Sequence, residues 1–200
     1  YWTSYPQQVN LVRANPVIIP TTQETEFKLT PAMLEASINA QSKLIMFNSP
    51  SNPTGSVYNR DELAGLVEVL KKHDIYIMSD EIYLSLIYDG MEKVSLASFP
   101  EIRDQLILIN GFSKSHAMTG WRIGYLAAPL PVVKAASRIQ SHSTSNISSI
   151  TQYAALAVFE GVEDELAEMH SAFESRRDYV FERLAGMDGV KIRKPGGAFY

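Results

Sequence analysis

The chain has 200 residues, of which 46% are hydrophobic and 20% are charged, and its formal net charge at pH 7 is −4. This composition is ordinary for a globular protein, and the acidic balance gives no electrostatic case for binding nucleic acid or an acidic membrane surface. The absence of cysteine excludes a disulfide framework and cysteine-ligated zinc. No apolar stretch reaches the roughly 18 residues of a transmembrane helix, and no signal peptide opens the chain.

The predicted elements begin with a short helix at Thr30 and Pro31, because proline is favoured at the first helical position. Four near-continuous apolar runs are typical of strands buried on both faces of an α/β sheet. These runs cover residues 43–48, 75–80, 106–110 and 123–128.

A helix is predicted between the first two apolar runs. Asn59 is a good N-cap, and Glu62 is placed to complete a capping box with it. Apolar residues then recur at the spacing of one helix face. Residues 43–80 are therefore predicted to form a strand–helix–strand unit. The apolar positions of this helix are Leu63, Leu66, Val67 and Leu70.

The pattern becomes helical after the fourth run. One helix is predicted from Pro129 to about Ser141, and another covers residues 150–160 and stops at Gly161. The Ser/Thr-rich stretch between them is interpreted as a helix junction. Both helices are assigned to the same unit as the strands.

A long amphipathic helix is predicted next, over residues 163–184, with Gly186 and Gly189 ending it. Short strand pieces are predicted at residues 191–193 and 197–200. A helix of this length after a compact unit is expected to lead into a second domain. Its apolar stripe consists of Leu166, Met169, Phe173, Val180, Phe181 and Leu184.

Polar side chains follow three of the predicted strands. Asn52 follows the first strand, Asp80 and Tyr83 follow the second, and Ser113 and Lys114 follow the third. Ligands of open, mainly parallel sheets bind beyond the carboxyl ends of the strands. Taken singly, Asn52 indicates only a turn, Asp80 a helix cap and Lys114 a solvated side chain. Their common placement after strands predicts one site.

Other chemistries lack support in the sequence. The four histidines share no ligand spacing, so no metal site is predicted. The sequence contains no G-x-G-x-x-G, no P-loop and no G-x-S-x-G elbow. The chemistry best supported is therefore that of a lysine. The histidines are His73, His116, His142 and His170.

Three motifs, "NSPSNPTGSVY", "SDEIY" and "GFSKSHAMTGWRIGY", occur in this order. Together they closely resemble the class I aminotransferases, which are fold-type I pyridoxal-phosphate enzymes, and the bacterial aspartate aminotransferase subgroup in particular. The resemblance extends over nearly the whole chain. It implies a three-layer α/β/α fold with a mainly parallel sheet, which is the incomplete large domain of these enzymes, followed by the start of a smaller α+β domain.

The resemblance also implies domain limits. Residues 1–160 would belong to the cofactor-binding domain, residues 161–185 to an interdomain helix, and residues 186–200 to the start of the small domain. The chain begins at Tyr1 without methionine and stops inside a predicted strand. We therefore expect a piece of a longer protein that has little activity alone, because the family's phosphate-binding turn and substrate-carboxylate arginine would lie outside it.

The resemblance assigns roles to the residues at the strand ends. Lys114 would form a Schiff base with pyridoxal 5′-phosphate and move the proton of the substrate. Asp80 would pair with the pyridinium nitrogen and keep it protonated. Tyr83 and Asn52 would hydrogen-bond the phenolate oxygen of the cofactor, and such bonds favour the deprotonated oxygen.

The remaining assigned residues would surround the cofactor. Arg122 would clamp the phosphate, because a guanidinium fork fits its oxygens, and Ser113 would add another bond there. Trp2 would form an aromatic wall. Gly120 would allow the turn that brings the chain back past the phosphate.

The implied reaction is amino-group transfer between an L-amino acid, with aspartate as the first candidate, and a 2-oxo acid. Two alternatives stay open: a lyase that uses the same cofactor, and an effector-sensing domain of a transcription regulator. The resemblance further implies a homodimer when the protein is full length. The missing signal peptide and cysteines favour the cytoplasm.

Overall fold

A four-stranded mixed sheet organises the chain, and the computed structural model describes residues 1–200. The strands lie side by side in chain order. The first three are parallel, and the fourth is antiparallel to the third. All four strands predicted from the apolar runs are therefore confirmed. They are β1 (Leu44–Asn48), β2 (Tyr76–Asp80), β3 (Leu106–Gly111) and β4 (Gly124–Ala127).

Six α-helices accompany the sheet, and five of them were predicted from the sequence. The first helix was not, because its apolar and polar residues follow no clear periodicity. None of the six has the combined length and apolar character needed to cross a membrane. The helices are α1 (Ser4–Leu11), α2 (Pro31–Ser37), α3 (Arg60–Leu70), α4 (Leu130–Ser143), α5 (Ser149–Ala157) and α6 (Glu163–Ala185).

The predicted helix starts are confirmed by their capping bonds. At α2, the hydroxyl of Thr30 accepts a hydrogen bond from the N–H of Met33 at 3.3 Å. At α3, Oδ1 of Asn59 accepts from the N–H of Glu62 at 2.9 Å, and Oε2 of Glu62 accepts from the N–H of Asn59 at 2.8 Å. These reciprocal bonds satisfy two backbone donors that the helix leaves without partners.

The main core lies between the sheet and the helices that precede β1 and β2. The four apolar residues predicted for one face of α3 are all at most 2% exposed. They form one cluster with Leu34 of α2 and with Phe47, Ile77 and Leu106 of the strands. Burying a side chain of this size stabilises the fold by about 1.5–3 kcal/mol. This cluster therefore holds the first three strands at fixed positions.

The prediction of strands buried on both faces is wrong for β4. Three of its four residues are exposed, and Tyr125 remains 49% accessible. The main core cluster includes residues of β1, β2 and β3 but none of β4. β4 lies at the edge of the sheet, bordered only by β3. Its apolar composition does not distinguish an edge strand from a central one.

The prediction of strand pieces at residues 191–193 and 197–200 is also wrong. This segment makes only an isolated bridge, between Gly197 and Ile87. Instead, the carbonyl of Gly55 accepts hydrogen bonds from the N–H groups of Gly196 and Gly197, each at 3.0 Å. Only the backbone bonds from the N–H of Tyr88 to the Gly196 carbonyl and from the N–H of Ala198 to the Leu86 carbonyl join the segment to the loop after β2, so no ladder forms.

The same contact makes Gly55 sensitive to substitution. Its φ is +65°, and a Cβ there would lie 2.5 Å from Cβ of Pro195. We expect Gly55→Ala to lower the free energy of unfolding by on the order of 1–3 kcal/mol for the backbone alone, and further through the clash. Gly90→Ala is the matched control, since Gly90 has φ +67° but no atom within 4 Å of a Cβ. Equal losses in urea unfolding would contradict the proposed close approach.

The long helix α6 packs against the loop that follows β2. Met169 and Phe173 contact a second small core, which consists of Tyr83, Leu86, Tyr88 and Ala198. The predicted apolar stripe is thus buried only in part, since Val180 on the same stripe is 50% exposed. Farther along the helix, Arg177 lies 2.7 Å from Asp89 and ties the helix to the same loop.

Candidate active site

The carboxyl ends of the parallel strands meet at one edge of the sheet. In the register, Asn48 lies opposite Asp80, and Asp80 lies opposite Ile109. The side-chain N–H of Asn48 donates to the carbonyl of Asp80 at 2.9 Å, and Oδ1 of Asn48 accepts from the backbone N–H of Asn52 at 2.8 Å. The predicted convergence of the strand ends is confirmed, and the Asn52 turn is held directly against the strand that carries Asp80.

Both oxygens of the Asp80 carboxylate have a donor. Oδ2 accepts from the hydroxyl of Tyr5 at 2.5 Å, and Oδ1 accepts from the N–H of Ile82 at 3.2 Å. Burial of Tyr5, followed by the nearby Asp80 charge and the bond to it, raises the pKa of the Tyr5 phenol. Tyr5 therefore stays protonated at neutral pH and fixes the orientation of the carboxylate.

Trp2 packs against Tyr5, the residue that donates to the Asp80 carboxylate. The two rings meet edge to face, with centroids 5.8 Å apart and an interplanar angle of 88°. Trp2 is 45% exposed, whereas Tyr5 is 8% exposed. Trp2 is thus partly accessible and lies next to the Tyr5 that binds Asp80. Sequence reasoning missed Tyr5, although its spacing of three residues from Trp2 at the start of a helix was an available signal.

Tyr83 lies buried at the same edge of the sheet. Its hydroxyl is 2.7 Å from the hydroxyl of Tyr200, and the amide of Asn52 donates to Tyr200 at 3.1 Å. Burial, and then the interaction with Tyr200, raise the pKa of the Tyr83 phenol, while Asn52 acts in the opposite direction. The predicted pair Tyr83 and Asn52 is therefore brought together. Tyr200 is a third member that sequence reasoning missed, because its sequence position gives no hint of this long-range contact.

Lys114 lies half-buried in the turn that follows β3. Its Nζ is 5.9 Å from the ring centroid of Tyr83 and 5.5 Å from that of Phe199. Phe199 in turn stacks on Phe173 of α6, with centroids 5.5 Å apart. The Lys114 amine thus lies against the rings of Tyr83 and Phe199, within the predicted site.

The turn around Lys114 is fixed by its own polar side chains. The hydroxyl of Ser115 donates to the carbonyl of Gly111 at 3.2 Å and lies 2.6 Å from Nδ1 of His116. Burial lowers the pKa of His116, which favours its neutral form. These contacts hold the residue after Lys114 against the end of β3.

Ser113 and Arg122 are linked through Thr119. The Thr119 hydroxyl donates to the carbonyl of Ser113 at 2.9 Å, and Nη1 of Arg122 donates to the carbonyl of Thr119 at 3.0 Å. The two predicted phosphate ligands therefore belong to one loop, which connects β3 to β4.

The prediction that Gly120 allows this turn is wrong. The left-handed backbone positions of the loop are Ala117, with φ +54°, and Arg122, with φ +53°. Non-glycine residues in this region carry a strain of order 1 kcal/mol, and they occur where the surrounding structure requires them. At Arg122, the guanidinium donates back to the carbonyl of Thr119 in the same loop.

Glu81, the residue after Asp80, is a buried carboxyl group with a structural role. Only 3% of it is exposed, and Oε1 accepts from the hydroxyl of Ser79 at 2.9 Å and from the N–H of Leu96 at 3.0 Å. Burial raises the pKa of Glu81 in spite of these bonds. The side chain joins the end of β2 to a short helical turn and so supports the position of Asp80.

We expect Glu81→Gln to change how stability depends on pH. Because the pKa of Glu81 is higher in the folded state, its protonation stabilises the fold fully below about pH 4, and this contribution is lost as the pH rises through the raised pKa. The free energy of unfolding of the unchanged protein, relative to the variant, should therefore fall with rising pH. Urea unfolding at several pH values measures this difference. Exposed Glu101→Gln is the control, and equal pH slopes for the unchanged protein and Glu81→Gln would contradict the prediction.

The sequence of the chain matches a protein-family model and several curated proteins. The family model described as "Aminotransferase class I and II" matches residues 1–200. The aspartate aminotransferase of Geobacillus stearothermophilus is 46% identical over 201 aligned residues, covering 100% of this chain and 51% of that protein. The aspartate/prephenate aminotransferase of Cereibacter sphaeroides is 48% identical over 202 aligned residues, covering 100% of this chain and 50% of that protein.

A solved structure agrees with the sequence comparisons. The aspartate aminotransferase from Rhizobium meliloti superposes with a TM-score of 0.96 at 39% identity, covering 99% of this chain and 50% of the other. The predicted fold class is thereby confirmed. The chain belongs to the class I and II aminotransferase family, whose members use pyridoxal 5′-phosphate. It spans about half the length of the curated relatives it matches.

Proposed function

We propose that the protein to which this chain belongs is an aminotransferase that moves an amino group between L-aspartate and a 2-oxo acid. The single observation that carries the proposal is the position of Lys114. Its amine lies beside the Tyr83 ring, in a site that also contains Asp80 and Asn52 at neighbouring strand ends. Because the chain spans half of its relatives, the activity is proposed for the complete protein.

The donor set fits pyridoxal 5′-phosphate. When bound, this cofactor supplies an electron sink for the bond-breaking step at the substrate Cα. Lys114 is the only amine among the assigned residues and would hold the aldehyde end and move the proton, aided by proximity. Asp80, with both oxygens already oriented, would hold a proton on the ring nitrogen.

The other assigned side chains supply neutral donors and a cation. Tyr83 and the second N–H of Asn52 would donate to the phenolate oxygen. Arg122 and Ser113, which share Thr119 as a partner, would bind the phosphate. Trp2, whose ring is partly exposed, would cover one face of the cofactor. These roles remain predictions.

Aspartate is proposed as the amino donor because two of the relatives carry it in their names. The complete protein, incubated with L-aspartate, a 2-oxo acid and pyridoxal 5′-phosphate, should form the 2-oxo acid of aspartate and the new amino acid in equal amounts. Release of ammonia or a thiol instead would favour the lyase alternative, which the names of the relatives do not support.

The assembly and location of the complete protein belong to the same proposal. Family resemblance supports a homodimer and small-molecule amino acid and 2-oxo acid substrates, and the acidic composition gives no electrostatic case for nucleic acid or membrane partners. The cytoplasm is the proposed location. The division into residues 1–160, 161–185 and 186–200 also stays a prediction, as does low activity of the 200-residue chain alone.

A further inference from the structure

Tyr200 makes contacts that none of the assigned roles explains. One atom, its phenol oxygen, lies 2.7 Å from the hydroxyl of Tyr83 and 3.1 Å from the amide nitrogen of Asn52. These two side chains are the ones proposed to bind the phenolate oxygen of the cofactor. A single residue, more than a hundred positions away in sequence, therefore holds both.

The segment that carries Tyr200 is anchored on the loop after β2. The N–H of Ala198 donates to the carbonyl of Leu86 at 2.8 Å, and the carbonyl of Ala198 accepts from the buried hydroxyl of Tyr88. A Cβ at Gly197 would lie 2.8 Å from the carbonyl oxygen of Leu86, so the backbones approach closely. Tyr200 is thus placed by backbone contacts rather than by its own burial.

Aromatic packing adds a second constraint on the same group. The Tyr83 and Tyr200 rings meet at 78° with centroids 5.7 Å apart, and Phe199 meets Tyr83 at 86° and 5.4 Å. Tyr83 is 4% exposed, whereas Tyr200 is 47% exposed. The Tyr200 ring therefore packs edge-on against the buried Tyr83 ring, and its hydroxyl can hold the Tyr83 hydroxyl in place.

The hydrogen-bond count leaves donors for a ligand. Asn52 has two amide N–H groups and uses one on Tyr200. When Tyr200 supplies the proton shared with Tyr83, the Tyr83 hydroxyl keeps its own proton. One phenol O–H and one amide N–H are then free to point to the same acceptor.

We infer that Tyr200 is a positioning residue, which orients Tyr83 and Asn52 so that both donate to the phenolate oxygen of the cofactor. The inference rests on the proposed function. It assigns a role in the cofactor site to a residue from the segment predicted to begin the small domain. That segment and the large domain would thus jointly set the acidity of the bound cofactor.

The first test uses the complete protein without cofactor. Tyr200→Phe keeps the ring and removes the hydroxyl, and with it the bonds to the Tyr83 hydroxyl and to the Asn52 amide. In protein labelled with 13Cζ-tyrosine, the Tyr83 resonance at neutral pH should shift in this variant, because its hydroxyl loses its hydrogen-bond partner. Tyr153→Phe is the matched control, because Tyr153 is 75% exposed, and it should leave Tyr83 unchanged. An unchanged Tyr83 resonance in Tyr200→Phe would overturn the inference.

The second test uses the protein loaded with pyridoxal 5′-phosphate. Weaker donation to the phenolate oxygen should raise the pH midpoint of the cofactor's absorbance change by about 0.5–1 unit in Tyr200→Phe, the size expected for one hydrogen bond. A midpoint that stays in place would mean that the contact is structural only and would refute a positioning role. Failure of the unchanged protein to bind the cofactor at Lys114 would instead refute the proposed function, and this inference with it.

Discussion

Replacing Lys114 by arginine should reduce amino transfer by the complete protein by at least about 10²–10⁴-fold, the range for loss of a positioned acid–base group. Arginine keeps the positive charge over the rings of Tyr83 and Phe199, but it does not deprotonate in proteins. The charge-dependent contacts are thus largely retained while the reactive amine is lost. The measurement is the rate of 2-oxo acid formation from L-aspartate under saturating conditions.

A matched control separates the chemistry from any loss of folding. Lys134 lies exposed on α4, so Lys134→Arg should leave the rate unchanged. Thermal unfolding of both variants should resemble that of the unchanged protein. A Lys114→Arg variant that transfers amino groups at a rate near the original would remove Lys114 from the mechanism.

Replacing Asp80 by asparagine should lower the transfer rate by about 10²–10³-fold, the range for loss of one preorganised electrostatic group. Asparagine has the same shape, and its oxygen can still accept from the N–H of Ile82, as Oδ1 of Asp80 does at 3.2 Å. The negative charge that would keep the ring nitrogen protonated is absent. The effect should therefore fall on the turnover number more than on the affinity for aspartate.

The control for Asp80→Asn is a carboxylate outside the site. Asp104 is exposed and lies just before the start of β3. Asp104→Asn should retain full activity. The absorbance spectrum of the bound cofactor gives a second measurement, because it responds to protonation of the ring. An Asp80→Asn variant with normal turnover and an unchanged spectrum would show that Asp80 does not pair with the cofactor.

The sequence predicts the parts of this molecule that depend on local patterns. The strands, the capped helices and the placement of Asp80 and Lys114 after strands follow from short apolar runs and from caps such as that of Asn59. These features need only neighbouring residues, because capping bonds and helix periodicity act within one turn. The common edge of the strand ends then follows from parallel pairing.

The unpredicted parts depend on contacts distant in sequence. Tyr5 lies 75 positions from the Asp80 that it binds, and Tyr200 lies 117 positions from Tyr83. No periodicity indicates which phenol meets which partner. The errors have the same origin, since the position of β4 at the sheet edge and the strain at Arg122 are set by the surrounding fold.

The measurement that tests the central claim most directly is chemical labelling of Lys114. The complete protein is mixed with pyridoxal 5′-phosphate, reduced with borohydride, digested and examined by peptide mass spectrometry. Our account predicts a pyridoxyl group on Lys114 and none on exposed lysines such as Lys134. Modification spread over surface lysines, with Lys114 unmodified, would contradict the assignment of the cofactor site.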